Sequence, residues 1–73
     1  MSQMPAQFEI VLNGAPKWVP VNTSVAQLLR SCGLDRAGVA VAVAGQGVPR
    51  TQHEQVQLEA GQRVEVVQAV GGG

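Results

Sequence analysis

Few residues in this chain could do chemistry. It holds one cysteine, Cys32, and one histidine, His53, and it ends in three consecutive glycines, Gly71-Gly72-Gly73. Cys32 has no second cysteine for a bridge or a redox pair, and one Cys with one His falls short of a closed zinc site. It shares a helical stripe with Val25, Leu28 and Leu29, where a thiol acts as a small hydrophobe. His53 lies in a polar stretch with no neighbouring acid or nucleophile and reads as a surface loop. Arg50, after Val48-Pro49, is either a solvated charge at a strand end or a contact for a partner.

The terminal glycines leave more to consider. Without side chains they form the thinnest and most pliable strand a chain can offer, open to nearly any φ/ψ. Five residues from Ala69 to Gly73 span roughly 17 Å when extended, at ~3.3–3.6 Å each, enough to enter a narrow tunnel in another protein. The terminal carboxylate is the only group on that segment able to react. A flexible end or a linker is the plain alternative, and composition alone does not choose between them.

Position in the fold does bear on the choice, so the elements that mount the tail matter. Met1 to Ala6 reads as a loose end, with Met4 a second possible start. Phe8, Ile10 and Leu12 alternate as one face of a strand. Asn13-Gly14 is a strong hairpin signal, since both residues tolerate positive φ. The return strand is Lys17-Trp18-Val19-Pro20-Val21, where Pro20 argues for an edge or a strand end. Ser24 with Gln27 has capping-box spacing and opens a helix whose stripe is Val25, Leu28, Leu29 and Cys32, with Gly33 to end it. Val39 to Ala44 alternates valine and alanine, which places Val39, Val41 and Val43 toward the helix and the alanines on a flatter face. Gly45-Gln46-Gly47 reads as a turn, Thr51 to Gln57 as a loop with one helical turn, and Glu59 to Gln62 as a further turn. Arg63 to Gln68 is the last strand, with Val64 and Val66 on the core side.

A hairpin, one helix and two more strands make an α+β fold, a mixed sheet packed on one helix. That is the β-grasp arrangement, with the first and last strands parallel at its centre. The last strand then runs straight into the glycines, and the tail becomes an arm on a rigid mount. A single domain spans residues 1–73, with 69–73 its flexible end.

Size and charge restrict what such a domain does alone. A domain of 73 residues has a thin core, and this one is 45% apolar, rich in Val and Ala, with Phe8 and Trp18 its only aromatics. Five basic residues (Lys17, Arg30, Arg36, Arg50, Arg63) balance five acidic ones and form no stripe, which argues against nucleic acid as a partner. No apolar run is long enough to span a bilayer and no leader pattern is present, so a cytoplasmic location is expected. A self-sufficient active site is not expected either.

The chain resembles the ubiquitin-like sulfur carriers of bacteria, the MoaD/ThiS family, and within it the ThiS-type carriers of thiazole formation in thiamine biosynthesis. The resemblance runs through Ile10-Val11-Leu12-Asn13-Gly14, Ser24-Val25 with Leu28-Leu29, and Gly38 to Val43. It continues through Val48-Pro49-Arg50 and Glu59-x-Gly61-x-x-Val64 to Val67-x-x-Val70-Gly71-Gly72-Gly73. Two turn positions depart from it: Gly45 stands where the family usually has asparagine, and Gln62 where it usually has aspartate. The resemblance implies that a ThiF-like adenylyltransferase, using ATP and Mg²⁺, converts the Gly73 carboxylate to an acyl-adenylate. A persulfide donor then displaces AMP and leaves a thiocarboxylate, which a ThiG-like thiazole synthase consumes. ATP, metal and catalytic residues would belong to the partners. Val70, Gly71 and Gly72 would be the segment presented to them, with no Cβ at the glycines to clash with tunnel walls.

Other readings are a carrier for molybdopterin or another sulfur-containing metabolite, a ubiquitin-like modifier joined to lysines through Gly73, and a non-covalent binding module. A monomer is expected when the chain is free. If Val19 and Val21 face the core, Trp18 faces out near Val11, and Val67 shares that face. Exposed aromatics on a sheet face are favoured interface anchors. That face, with the alanines beside it, is either a docking patch or a partly shielded surface.

Overall fold

The structure, a computed structural model, describes residues 6–68. The leading residues 1–5 and the terminal residues 69–73, which include Val70, Gly71, Gly72 and Gly73, lie outside the described residues.

Five strands and one helix follow in chain order: β1 (Gln7–Leu12), β2 (Ala15–Pro20), α1 (Val25–Ser31), β3 (Val39–Val43), β4 (Gln46–Val48) and β5 (Arg63–Gln68), with a 3₁₀ turn at Arg50–Gln52 before β5. The sheet order is β2-β1-β5-β3-β4. β1 and β5 run parallel, and every other pair is antiparallel. A mixed sheet on one helix, with the last strand in its middle, is the expected β-grasp fold.

The first hairpin closes through Asn13 and Gly14 at φ 49° and 82°, the sign pattern of a two-residue type I′ turn. β2 is an edge strand and Pro20 is its last residue, as the missing N–H requires. It starts earlier than the sequence suggests, at Ala15, and stops before Val21. Val21 is 40% exposed rather than core-facing, because Pro20 ends the ladder and Asn22 turns the chain at φ 65°. The Val21 amide still donates to the Ala6 carbonyl at 2.9 Å.

The capping box of α1 is complete: the Ser24 hydroxyl accepts from the Gln27 amide, and the Gln27 side chain accepts from the Ser24 amide. Val25, Leu28 and Leu29 are buried with Ile10, Val19, Val41, Val43, Leu58, Val64 and Val66 in one core, against which Cys32 packs partly buried. This core lies on the helix side of the sheet.

Two local expectations are corrected. Gly45-Gln46-Gly47 is not the turn; Ala44 and Gly45 are, at φ 52° and 82°, and Gln46–Val48 pairs back on β3 as β4. Alanine is not a turn-forming residue by type, so the reversal takes a position its side chain does not advertise. His53 is not a surface residue either; it is buried. The first amides of a helix need acceptors, and residues 53–56 supply them. The His53 carbonyl accepts from Ala26 at 2.8 Å, and the Val56 carbonyl from Val25 at 2.9 Å. The His53 ring is thereby carried inward, where Nε2 meets the Val48 carbonyl at 3.1 Å.

Candidate functional site: the mount of the C-terminal segment

β5 is paired along both edges. Toward β3 the register runs from Val43↔Val64 to Val39↔Gln68, so the ladder continues to the last described residue of the strand. Toward β1 it covers only Val11↔Arg63 and Leu12↔Val64, because β1 turns away at Asn13. At that point Asn13 takes over the pairing. Its amide donates to the Val64 carbonyl at 2.9 Å, its Nδ2 donates to the Val66 carbonyl at 3.2 Å, and its Oδ1 accepts from the Val66 amide at 2.8 Å. A carboxamide carries one acceptor and one donor group on the same planar unit, as a peptide does, so the side chain stands in for the next rung of the ladder.

Arg36, in the loop before β3, completes the mount. Its Nη2 donates to the Gln68 Oε1 at 2.7 Å, on the solvent side of the strand's end. Neither contact is legible locally, since Asn13 and Val66 are 53 positions apart and Arg36 and Gln68 are 32 apart. Asn13 is visible in the sequence only as a turn residue.

The proposed docking residues are distributed along the outer face. Trp18 is 61% exposed and Val67 63% exposed, and Val11 is half-buried between them in register. They do not form one cluster. Trp18 pairs with Glu9, two residues before Val11, and Val67 lies four residues beyond Arg63, the partner of Val11. Six residues of strand separate the two levels, ~20 Å at about 3.3 Å per residue. Trp18 sits at the far end of the face from the strand terminus, and Val67 beside it, opposite Ala40. Arg50 is exposed at the 3₁₀ turn, and its carbonyl accepts from the His53 amide.

Among the described residues no group of three His, Cys, Asp or Glu could hold a metal ion, and no helix is long and apolar enough to cross a membrane. Cys32 lies partly buried beside the Ser31 hydroxyl, 3.8 Å away. Hydrogen bonds to Glu54 and then Asp35 raise the pKa of the exposed Arg30 guanidinium above its ordinary value. It stays a fixed positive charge at the C-terminal end of α1, where a cation is favoured.

Residues 9–73 match the model of the ThiS family. Among solved structures, the crystal structure of a thiamine biosynthesis protein (ThiS) from Geobacter metallireducens superposes with a TM-score of 0.78 at 26% sequence identity. The superposition covers 90% of this chain and 100% of that one. No curated protein matches.

Proposed function

The chain belongs to the ThiS family, and from that membership we propose that it is a sulfur carrier of thiamine biosynthesis, a protein co-substrate rather than a catalyst. The observation that carries this reading is the family match itself, which runs through Gly73, the residue that would react. The central placement of β5 supports it, since the strand leading to that terminus is held on both edges.

In the proposed sequence, an adenylating enzyme of the ThiF type binds ATP and Mg²⁺. The Gly73 carboxylate attacks the α-phosphorus, pyrophosphate leaves, and the acyl-adenylate forms. A persulfide sulfur then attacks the acyl carbon and AMP leaves. Cleavage of the remaining S–S bond by a thiol frees a thiocarboxylate. This group is ionised at neutral pH, and its soft sulfur is a strong nucleophile for delivery to a thiazole synthase of the ThiG type. This chain supplies the carboxylate and its mount, and Val70, Gly71 and Gly72 would thread both partners' tunnels. Trp18, Val11, Val67 and Arg50 are the residues proposed to meet those partners. The carrier works in the cytoplasm, as a monomer when free.

Intact-mass measurement tests the reading after incubation with a ThiF-type enzyme, ATP, Mg²⁺ and a persulfide donor. The expected gain is replacement of one oxygen by sulfur in the parent chain and in Cys32→Ala, with none in a chain lacking Gly72-Gly73. No gain in the parent, or loss of the gain in Cys32→Ala, would overturn it. Conjugates on lysines in place of the thiocarboxylate would favour a ubiquitin-like modifier.

A further inference from the structure

The Asn13 clip does more than close a turn. The same fold contains a second two-residue reversal with the same φ signs, at Ala44 and Gly45, and alanine serves there without any side-chain link. Asparagine is therefore not required for the reversal at 13–14. What Asn13 adds is the reciprocal pair with Val66, which is fully consistent only when Oδ1 faces the amide and Nδ2 the carbonyl. Aspartate could accept but not donate, and glycine or alanine could do neither.

The pair also lies at a particular place. Val66 is seven positions before Gly73, and it lies two residues beyond Val64, the last residue of β5 registered against β1. From Val66 to Gln68 the backbone is registered only against β3. A strand held on one edge can pivot about that edge, and a pivot at Val66 redirects β5 up to its last described residue, Gln68. The side chain of Asn13 closes the other edge.

We propose that Asn13 is the positioning residue of the carrier: by clamping Val66 it fixes the course of β5 up to Gln68, the base on which the terminal residues are mounted, and so the ease with which the Gly73 carboxylate finds the adenylating site. This rests on the sulfur-carrier reading. A loose mount lowers the fraction of carriers whose base is correctly aligned before binding, so its cost falls on binding and not on chemistry.

The experiment compares the parent chain with Asn13→Gly, Asn13→Asp and Ser24→Ala. Glycine keeps the positive φ of the turn, and Ser24→Ala is a destabilised control altered at the helix cap, away from β5. Amide hydrogen exchange is read at Val66 and, for comparison, at Val67, which is registered against Ala40. The kcat and KM of Gly73 adenylation by a ThiF-type enzyme are read from pyrophosphate release. In Asn13→Gly the Val66 amide should exchange roughly tenfold faster with Val67 little changed, as expected for loss of its hydrogen bonds. KM should rise severalfold with kcat retained. Asn13→Asp should restore protection at Val66, since its carboxylate still accepts from that amide. Ser24→Ala should leave KM unchanged. Equal exchange at Val66 in parent and Asn13→Gly would overturn the clamp, and faster exchange with an unchanged KM, or an equal KM rise in Ser24→Ala, would overturn the positioning role. Failure of the parent chain to be adenylated would overturn the sulfur-carrier reading and the positioning role with it, while the exchange data would still decide the clamp.

Discussion

Among the described residues, Ala44 is the one whose backbone conformation opposes its side chain, and replacing it should make the protein more stable. It sits at φ 52° in the β3–β4 turn, where an L-residue with a Cβ is disfavoured by ~1–2 kcal/mol. The residue is exposed, so substitution changes no core contact, and its amide bond to the Arg63 carbonyl at 2.8 Å is a backbone bond that any non-proline residue keeps. Ala44→Gly removes the steric term but returns about 0.5–1 kcal/mol of chain entropy to the unfolded state. Ala44→Asn carries no such entropy penalty and tolerates the left-handed region, as Asn13 does in the equivalent turn at φ 49°. Both should stabilise, by about 0.5–1 kcal/mol, with Asn at least equal to Gly. For a domain of this size that corresponds to ~2–8 °C in Tm. Urea unfolding followed by far-UV circular dichroism is the suitable assay, because Trp18 is already largely in water and its emission would change little on unfolding. The midpoint should rise with the slope unchanged. If both variants unfold at or below the parent midpoint, the assignment of strain to Ala44 is wrong.

Two further outcomes follow from the geometry. Ser24→Ala should lower stability by about 1 kcal/mol, since it removes the acceptor for the Gln27 amide; thermal unfolding should show a fall of ~4–8 °C. Trp18→Ala and Val67→Ala should each weaken binding to a ThiF-type partner, measured by titration calorimetry, and the double variant should be additive within about 0.5 kcal/mol because the two positions are far apart. Strong coupling between them would mean a single compact patch, contrary to the register.

The elements that could be read from the sequence are those whose signals are local. Asn13-Gly14, the Ser24-Gln27 box and Gly33 each carry their conformational preference in their own side chains or lack of one. The valines of β3 and β5 show their buried face by alternation. β4 escaped because three residues, Gln-Gly-Val, cannot display a period of two, and because an alanine hides the turn before it. The burial of His53 is not legible locally, because its environment is set by the amide groups of a helix some 27 positions earlier in the chain, to which its own polar neighbours give no clue. The mount itself was half legible. That the last strand is central follows from the order of elements, whereas the register separating Trp18 from Val67, and the Asn13 and Arg36 contacts, are long-range facts without a local pattern.

The sheet order gives the mount a property that neither hairpin has alone. β1 with β2, and β3 with β4, are each closed by a two-residue turn and are local in sequence. Among the described residues, no sheet pairing joins the two hairpins except through β5, which is made last and registers against both. The contacts that complete the domain are therefore the same contacts that hold the strand leading to the terminus, and they are the ones with the largest loop-closure cost. A chain in which β5 is not docked has neither an intact sheet nor a fixed base for its end. For a protein whose proposed reactive group is that end, folding of the domain and fixing of the base at β5 are therefore one event.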